Sequence, residues 1–447
     1  MLDAFRSGDV VSPRFRRLGG EFLWVGLGEG LGAAGALVGV RLLTQVLDPA
    51  LYGELTLGLT AVTLTQLVIL APLVQASLRF LAPAQDAGAL RAYLRATQTL
   101  LARATAVVVA IAGVVGATLW LLGYSRWLAL ALAAFLYSWL SGYNSTLDAM
   151  QTAFRQRAVV AWHRVAGQWL RFVLAVAFVL AWGASSAAAM LGFAAAAVLV
   201  LCSQLVLFRR KVVQLSLPEA AQAGDIQDWT RQMREYAWPF VTWGVFTWAH
   251  MAADAWALQV FGSGSNVGLY AVLVQLGYYP ITLLSGIMVQ WISPVLFRRA
   301  GDGADQARVA HARRLNRLMI VGAMLLTLLG VGLAALAHKA IFSLLVAPDY
   351  RSVSPFLPWL VLSGGLFASG QAATLSLMSG VQTRSLIAPK IGTALLGIAL
   401  SFAGAYWFGI RGVVIAGVAF SATYFVWVLY LTSAPWSRLT AHAAPPR

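Results

Sequence analysis

Charged residues are scarce in this 447-residue chain: Asp, Glu, Lys and Arg together make up 11% of it. A soluble globular domain carries about 25% charged residues, so this composition excludes an ordinary water-soluble protein. Hydrophobic residues account for 60% of the chain instead, and its mean hydropathy is +0.75. The sequence therefore predicts an integral membrane protein.

The chain also lacks the residue patterns of metal and nucleotide chemistry. Its single cysteine, Cys202, lies in an apolar run and has no partner for an intrachain disulfide or a cysteine-based metal site. The sequence contains no Gly-x-x-x-x-Gly-Lys-Ser/Thr motif for nucleotide phosphates and no His, Cys and carboxylate cluster at metal-ligand spacing. We expect neither an ATPase nor a metal or other cofactor.

Acidic residues are half as numerous as basic ones, 16 against 32, which gives a formal net charge of +16. The basic residues recur in short loops between apolar runs, which is the pattern of membrane orientation signals. A nucleic-acid partner is therefore not expected, and membrane lipid is.

Apolar runs of about 20 residues, the length that crosses a bilayer, recur along the chain. They predict an all-α polytopic protein of about twelve transmembrane helices, near 22–47, 55–83, 96–122, 127–148, 158–182, 187–208, 236–261, 268–296, 316–338, 355–379, 386–408 and 411–432. The predicted domains are a first lobe of six helices at 1–208, a linker at 209–235, a second lobe of six at 236–434 and a tail at 435–447. Near the linker, Trp229, Met233 and Tyr236 share one helical face, which fits either an interfacial helix on the inner leaflet or a short surface helix with no further role.

Basic residues are concentrated in every second loop of the predicted topology. One set holds Arg14, Arg16, Arg17, Arg91, Arg95, Arg155, Arg157, Arg164, Arg209, Arg210, Lys211, Arg298, Arg299, Arg313, Arg314, Arg317, Arg384 and Lys390. The other holds only Arg126, Lys339, Arg351 and Arg411. Because the basic side is cytoplasmic, both termini are predicted to be cytoplasmic. No cleavage site follows the basic N-terminus, so an uncleaved first span is expected.

Two stretches of the chain match each other about half a chain length apart. Residues 21–24 align with 235–238 at an offset of 214, while Gly53 aligns with Gly268 and Gln75 with Gln290 at an offset of 215. Tandem halves of the same topology are a recurrent transporter design. The matches therefore predict two related six-helix lobes.

Ionisable residues inside membrane spans are costly and mark functional sites by default. In the first half, Arg164, Gln168 and Arg171 follow i, i+4, i+7 and form one polar stripe that descends from the cytoplasmic end. Arginine presents a planar fork of donors that matches phosphate oxygens. We predict that Arg171, Arg164 and Arg103 bind an anionic head group, with Glu29 and Gln168 beside them. Neutralisation of an arginine by Glu29 or Asp254, and snorkelling of arginine to the cytoplasm, are the alternatives.

The second half carries His250 and Asp254 instead, one turn apart on the seventh predicted helix. A buried carboxylate of this kind suits coupling to H⁺ or Na⁺, and Glu29 is a further candidate. A single hydrogen bond between helices is the plainer interpretation. Gln75 and Gln290 are predicted to line a sugar-accepting cavity or to bond neighbouring helices.

Two motifs resemble those of a known family. The first is Arg41-Leu-Leu-Thr-Gln-Val-Leu-Asp-Pro-Ala-Leu-Tyr-Gly53, and the second runs from Asp254 through Val267-Gly-Leu-Tyr270 to Pro294. Both resemble the polysaccharide-export, or lipid-linked oligosaccharide flippase, branch (O-antigen flippase-like) of the multidrug/oligosaccharidyl-lipid/polysaccharide exporter superfamily.

The resemblance implies a V-shaped bundle of two six-helix lobes that opens alternately to each side of the bacterial inner membrane. It further implies transport of undecaprenyl-pyrophosphate-linked oligosaccharide from the inner to the outer leaflet, for O-antigen or other surface polysaccharide, and not an enzyme. Polysaccharide polymerase machinery is a candidate partner. Lipid II flippases of this superfamily typically carry two further helices, for which this chain has no room.

Two other functions compete with this one. A multidrug extruder of the same fold would export small cations against H⁺ or Na⁺, which the deep arginines of the first half disfavour. A membrane enzyme, such as a polysaccharide polymerase or O-antigen ligase, usually carries a long external loop with catalytic residues. The predicted external loops are all short, at 47–54, 123–126, 183–186, 262–267, 347–354 and 409–411.

Overall fold

The computed structural model of the protein describes residues 13–214, 223–300, 306–379 and 387–433, and in these ranges the chain is helical apart from short turns. The first seven helices are α1 (Pro13–Val46), α2 (Pro49–Thr65), α3 (Ala71–Asp86), α4 (Leu90–Leu121), α5 (Ser125–Ala153), α6 (Arg157–Trp182) and α7 (Ser186–Gln214). A π-helical turn, Gln66–Leu70, joins α2 to α3 without a break. The predicted all-α class is confirmed for the described ranges.

The remaining helices are α8 (Ala223–Phe261), α9 (Gly264–Leu273), α10 (Tyr279–Ala300), α11 (Gln306–Leu345), α12 (Leu357–Ser379) and α13 (Ile387–Ser433). A second π-helical turn, Val274–Tyr278, joins α9 to α10. Eight helical stretches of the described residues are long and apolar enough to cross a membrane. They confirm a multi-pass membrane protein, and the total of twelve crossings stays a prediction.

The helix labelled α13 reverses direction at Gly409. This residue has φ 56° and ψ −134°, a backbone conformation open to glycine but strained for other residues. Gly404 and Gly412 would lie about 12 Å apart along a continuous helix, yet their backbones touch, and a Cβ on either would overlap the other. The reversal falls between the two helices predicted at 386–408 and 411–432.

The two lobes meet at a seam formed by the first turns of α2 and α9. A Cβ on Gly53 would overlap the carbonyl oxygen of Gly264, and a Cβ on Gly268 would overlap that of Pro49. Each of the two helices thus contributes one glycine and one carbonyl oxygen to the contact, so the seam is reciprocal. The sequence offset of 215 that relates Gly53 to Gly268 also relates Pro49 to Gly264. Glycine is needed here because the two backbones approach too closely for any side chain.

Helix N-caps fix the start of both seam helices at the same offset. The Asp48 carboxylate accepts a hydrogen bond from the Leu51 backbone N–H at 2.8 Å, and the Ser263 hydroxyl accepts one from Asn266 at 3.4 Å. Each cap satisfies a backbone donor that the helix itself leaves free. The two seam helices therefore begin at equivalent points.

Side chains of α1 extend the seam beside the turn that follows α11. Arg41 donates to the Val346 carbonyl, and the Ala347 N–H donates to the Thr44 hydroxyl at 3.2 Å. The Tyr350 hydroxyl donates to the Leu47 carbonyl at 2.8 Å. These contacts hold the lobes together at the end predicted to face outward.

A second contact between the lobes lies near the predicted cytoplasmic end, where α8 packs on α3 and α4. The rings of Trp229 and Tyr236 meet Phe80 edge to face at 6.1 and 5.6 Å, and Trp229 meets Tyr93 in the same way. Met233 is fully buried among them. The face predicted to lie on the inner leaflet is therefore covered by the first lobe. Moreover, α8 runs on to Phe261, so residue 235 is not a helix end.

The seam can be tested by filling one glycine. Inserting a methyl group into a closed packing costs about 1–3 kcal/mol, so Gly268→Ala should favour opening of the outer end. Ala347→Cys in a Cys202→Ala background places a thiol at a position only 8% exposed. We expect a membrane-impermeant maleimide added outside to label it about tenfold faster in Gly268→Ala.

Gly113→Ala is the control for this experiment, because no atom lies within 4 Å of a Cβ on Gly113. With Gly113→Ala, the maleimide should label the cysteine at position 347 at the same rate as in the parent protein. Equal labelling of the Gly268→Ala protein and the parent would show that the seam does not hold the outer end closed.

Candidate functional site

A cavity of about 880 Å³ lies in the first lobe, between α1, α5, α6 and α7. The second lobe contributes only Leu283 and Gln290 from α10 to its lining. The lining extends from Thr152 and Arg157, at the turn predicted to be cytoplasmic, to Phe193 in the interior of α7. The first lobe therefore carries the site, and the second lobe covers one side of it.

The lining is rich in charged and amide groups for a site inside a membrane bundle. Its charged residues are Glu29, Asp148, Arg157, Arg164 and Arg171. Of the residues predicted to bind a ligand, Arg171, Arg164, Gln168, Glu29 and Gln290 line this cavity. The structure thus brings together residues from α1, α6 and α10 that are far apart in sequence.

Arg103 and Gln75 lie outside this cavity. Both side chains are exposed on the bundle surface. On α4, the buried residues Leu100, Ala104 and Val108 mark the face that packs on the protein, and Arg103 lies about 100° around the helix from it. Their predicted binding role therefore has no geometric support in this conformation.

Helix geometry explains the stripe on α6. Arg164, Gln168 and Arg171 follow one face that looks into the cavity, whereas Phe172 and Ala175 are buried against the lobe. Glycines of α1 allow that helix to pack closely beside α6: Gly28 lies against Ala161, and Gly39 lies against the Phe172 ring. The stripe is therefore held between two tightly packed helices.

The two arginines of the stripe are in different electrostatic situations. Arg164 donates from Nε to the Asp148 carboxylate at 3.0 Å. Arg171 makes no ion pair in the described part of the chain; its guanidinium lies 4.7 Å from the Phe172 ring centroid and 5.7 Å from that of Phe193. Its Nε is buried without a hydrogen-bond partner. Arg171 is thus the guanidinium of the stripe that no described carboxylate neutralises.

Asp148 is an acidic residue of the cavity that was not predicted from the sequence. It accepts from Arg164 and, at 2.7 Å, from the Gln204 amide of α7. The predicted helix ended at residue 148, which placed this carboxylate at the water boundary, but α5 continues to Ala153. Its position one turn inside the helix, opposite the basic α6, is the signal that could have identified it.

Asp254 lies in the second lobe and does not line the cavity. Its carboxylate accepts from the Tyr270 hydroxyl of α9 and the Ser401 hydroxyl of α13, both at 2.5 Å. His250, one turn earlier, lies against the Phe420 ring at 3.8 Å. Asp254 thus joins three helices, and a role for either residue in ion coupling stays a prediction.

The architecture defines a class of protein. Two helical lobes that meet at a seam, with a polar cavity in one of them, are an arrangement found in membrane transporters. The chain belongs to the polysaccharide biosynthesis protein family, whose model matches residues 18–299. That match begins within α1 and ends within the last turn of α10, so it includes Gly53 and Gly268 of the seam. No curated protein matches the chain.

Solved structures show the same fold. The chain is similar to the lipid II flippase MurJ in an inward closed conformation, with a TM-score of 0.66 and 12% identity over 94% of this chain and 88% of that one. It is also similar to an inward-facing MATE family multidrug transporter, with a TM-score of 0.63 and 13% identity over 93% and 96%. A mutant of the Vibrio cholerae MATE transporter VcmN is similar with a TM-score of 0.61 and 16% identity, over 95% of this chain and 98% of that one. An outward-facing MATE structure gives a lower TM-score, 0.55.

Removing a donor to Asp254 should loosen the second lobe. Ser401→Ala and Tyr270→Phe each leave one carboxylate oxygen without its partner, at a cost of about 1–3 kcal/mol. We expect both variants to have a lower melting temperature in detergent than the parent protein. Ser343→Ala is the control, because that exposed hydroxyl bonds only its own helix, at the Ala340 carbonyl. Melting of Ser401→Ala at the parent temperature would contradict this account.

Proposed function

We propose that the protein moves undecaprenyl-pyrophosphate-linked oligosaccharide from the inner to the outer leaflet of the bacterial inner membrane, for surface polysaccharide synthesis. The observation that carries this proposal is the arginine stripe, which lies inside a transporter cavity and ends on a guanidinium without an acidic partner. A cationic cavity favours an anionic cargo. The family membership agrees with a cargo from polysaccharide synthesis.

The pyrophosphate would bind at Arg171. Donors aimed at a site away from bulk water bind a phosphate more strongly than they would in solution. Amide and hydroxyl groups beside the stripe, such as Asn144, Ser141 and Gln168, offer hydrogen bonds to the sugars. The large polar part of the substrate thus finds a polar cavity.

The polyprenyl chain would stay in lipid, beside α1 and α10. Each of these helices borders the cavity, and they come from different lobes. No atom lies within 4 Å of a Cβ placed on Gly26, Gly30 or Gly286. This open space along both helices leaves room for a hydrocarbon chain next to the cavity.

Transport requires the seam to open and the cavity to close toward the cytoplasm. The π-helical turns, Gln66–Leu70 and Val274–Tyr278, interrupt the regular bonding of the two helices that form the seam. Such turns often mark functional bends in helices. Rocking of the lobes about the seam would then expose the substrate outside.

A multidrug extruder is the second candidate function. The chain shares its fold with MATE transporters, and this shared fold is the observation that supports an extruder. Its expected cargo is cationic, however, and would meet the guanidinium of Arg171. We therefore rank it below the flippase.

The proposal predicts that Arg171→Ala blocks transport. In a deletion strain, undecaprenyl-linked oligosaccharide should accumulate in the inner leaflet, and wild-type protein should relieve this accumulation. Arg171→Ala should fail to do so, because the substrate loses the guanidinium of the stripe that has no ion pair in the described part of the chain. Arg171→Lys should restore transport in part, since it keeps the charge but not the planar fork.

Arg103→Ala provides the matched comparison, with the same residue type in a spanning helix but outside the cavity. The geometry predicts that it restores transport. No inner-leaflet accumulation in the deletion strain, together with altered sensitivity to cationic dyes, would instead favour the extruder.

A further inference from the structure

Asp148 acts as an anion that is already present in the cavity. Its side chain is 14% exposed, whereas that of Arg164, its partner at 3.0 Å, is 61% exposed. The Gln204 amide donates to its other carboxylate oxygen at 2.7 Å. The carboxylate is therefore fixed in the wall, and the guanidinium is the more accessible member of the pair.

The ion pair makes the two arginines of the stripe unequal toward a phosphate. A ligand with one phosphate that binds at Arg171 finds the next guanidinium occupied by Asp148. Such an ion pair, with one member largely exposed, is weak enough for a second anion to compete with it. A ligand whose second phosphate reaches Arg164 would displace the carboxylate, which would keep its bond from Gln204.

The distance between Arg171 and Arg164 along α6 decides which ligands bound at Arg171 can compete with Asp148 for Arg164. Arg164 and Arg171 are two turns apart, about 10 Å along the axis, and both have long, flexible side chains. Two linked phosphates span more of this distance than one phosphate does. While Asp148 holds the Arg164 side chain in place, only the longer group can remain at Arg171 and contact Arg164 as well. Once released from Asp148, the flexible Arg164 side chain could turn toward a single phosphate at Arg171.

We propose that Asp148 is a specificity-determining residue that acts through Arg164 and makes the cavity select pyrophosphate lipids over lipids with a single phosphate. This inference rests on the proposed function. It matters because anionic phospholipids, each phosphate of which stands alone, are a major component of a bacterial membrane and compete for any cationic cavity. With Arg164 occupied, these lipids meet one guanidinium instead of two.

The test compares two probes with the same hydrocarbon chain, undecaprenyl pyrophosphate and undecaprenyl monophosphate, on the purified full-length protein in nanodiscs. Wild-type protein should bind the pyrophosphate more tightly. Asp148→Asn should bind the monophosphate about tenfold more tightly, the size of one charge-assisted hydrogen bond, and change less toward the pyrophosphate. The ratio of the two Kd values should therefore fall, and Asp148→Glu should restore it.

Arg164→Gln probes the same pair from the other side and does not depend on the Asp148 variant being stable. It should weaken pyrophosphate binding and leave monophosphate binding unchanged. Asp228→Asn is the matched control, because Asp228 pairs with Arg231 at 2.8 Å on the surface of α8, where both side chains are about 60% exposed. Its Kd ratio should equal that of the wild type.

The possible outcomes separate this inference from the proposed function. If wild-type protein prefers the pyrophosphate, but Asp148→Asn keeps the same ratio or weakens both probes equally, Asp148 has a structural role only and the inference is wrong. If wild-type protein binds neither probe, or does not prefer the pyrophosphate, the proposed function itself fails and the inference fails with it.

Discussion

The close approach of two helix backbones at the seam is the constraint on which the rest of the structure depends. Gly53 and Gly268 allow α2 and α9 to touch where any side chain would hold them apart. This contact fixes α9, and with it the helix α10 that follows, beside the first lobe. It thereby places Leu283 and Gln290 of α10 against the cavity that α1, α5, α6 and α7 form.

Two charged side chains of the bundle, Asp254 and Arg171, differ in how far the protein satisfies them. In the second lobe, Asp254 has a hydroxyl donor for each carboxylate oxygen, which joins α8 to α9 and α13. In the first lobe, Arg171 keeps a buried Nε without a partner. An unsatisfied polar group in a low-dielectric interior is costly and is expected where a ligand supplies the missing contact. Of these two charged groups, Arg171 is the one left with a buried donor that a ligand could satisfy.

Much of the fold could be predicted from the sequence, because lipid forces the backbone into helices that apolar runs and glycines delimit. The break at Gly409 and the stripe on α6 are examples. The orientation of a lipid-facing helix could not be predicted in the same way. On α4, Val109 and Val114 are exposed to the surroundings although they are apolar, so hydrophobicity does not show which face is inside. Arg103 was assigned to the anion site because it is an arginine inside a predicted span, and the sequence does not show which face of the helix carries it. Asp148 was missed because a polar residue at a helix end resembles the start of a loop.

The reciprocal form of the seam has a consequence for how such a protein could have arisen. Each glycine meets the position that corresponds to its own in the other half, and the two halves cross the membrane in the same predicted direction. A single six-helix protein carrying one such glycine could therefore form the same contact between two identical copies, related by an axis along the membrane normal. Fusion of two copies would then preserve the contact while freeing each half to change, and acidic and basic residues could accumulate in different halves. The seam is the part of the molecule that such a homodimeric ancestor would already have possessed.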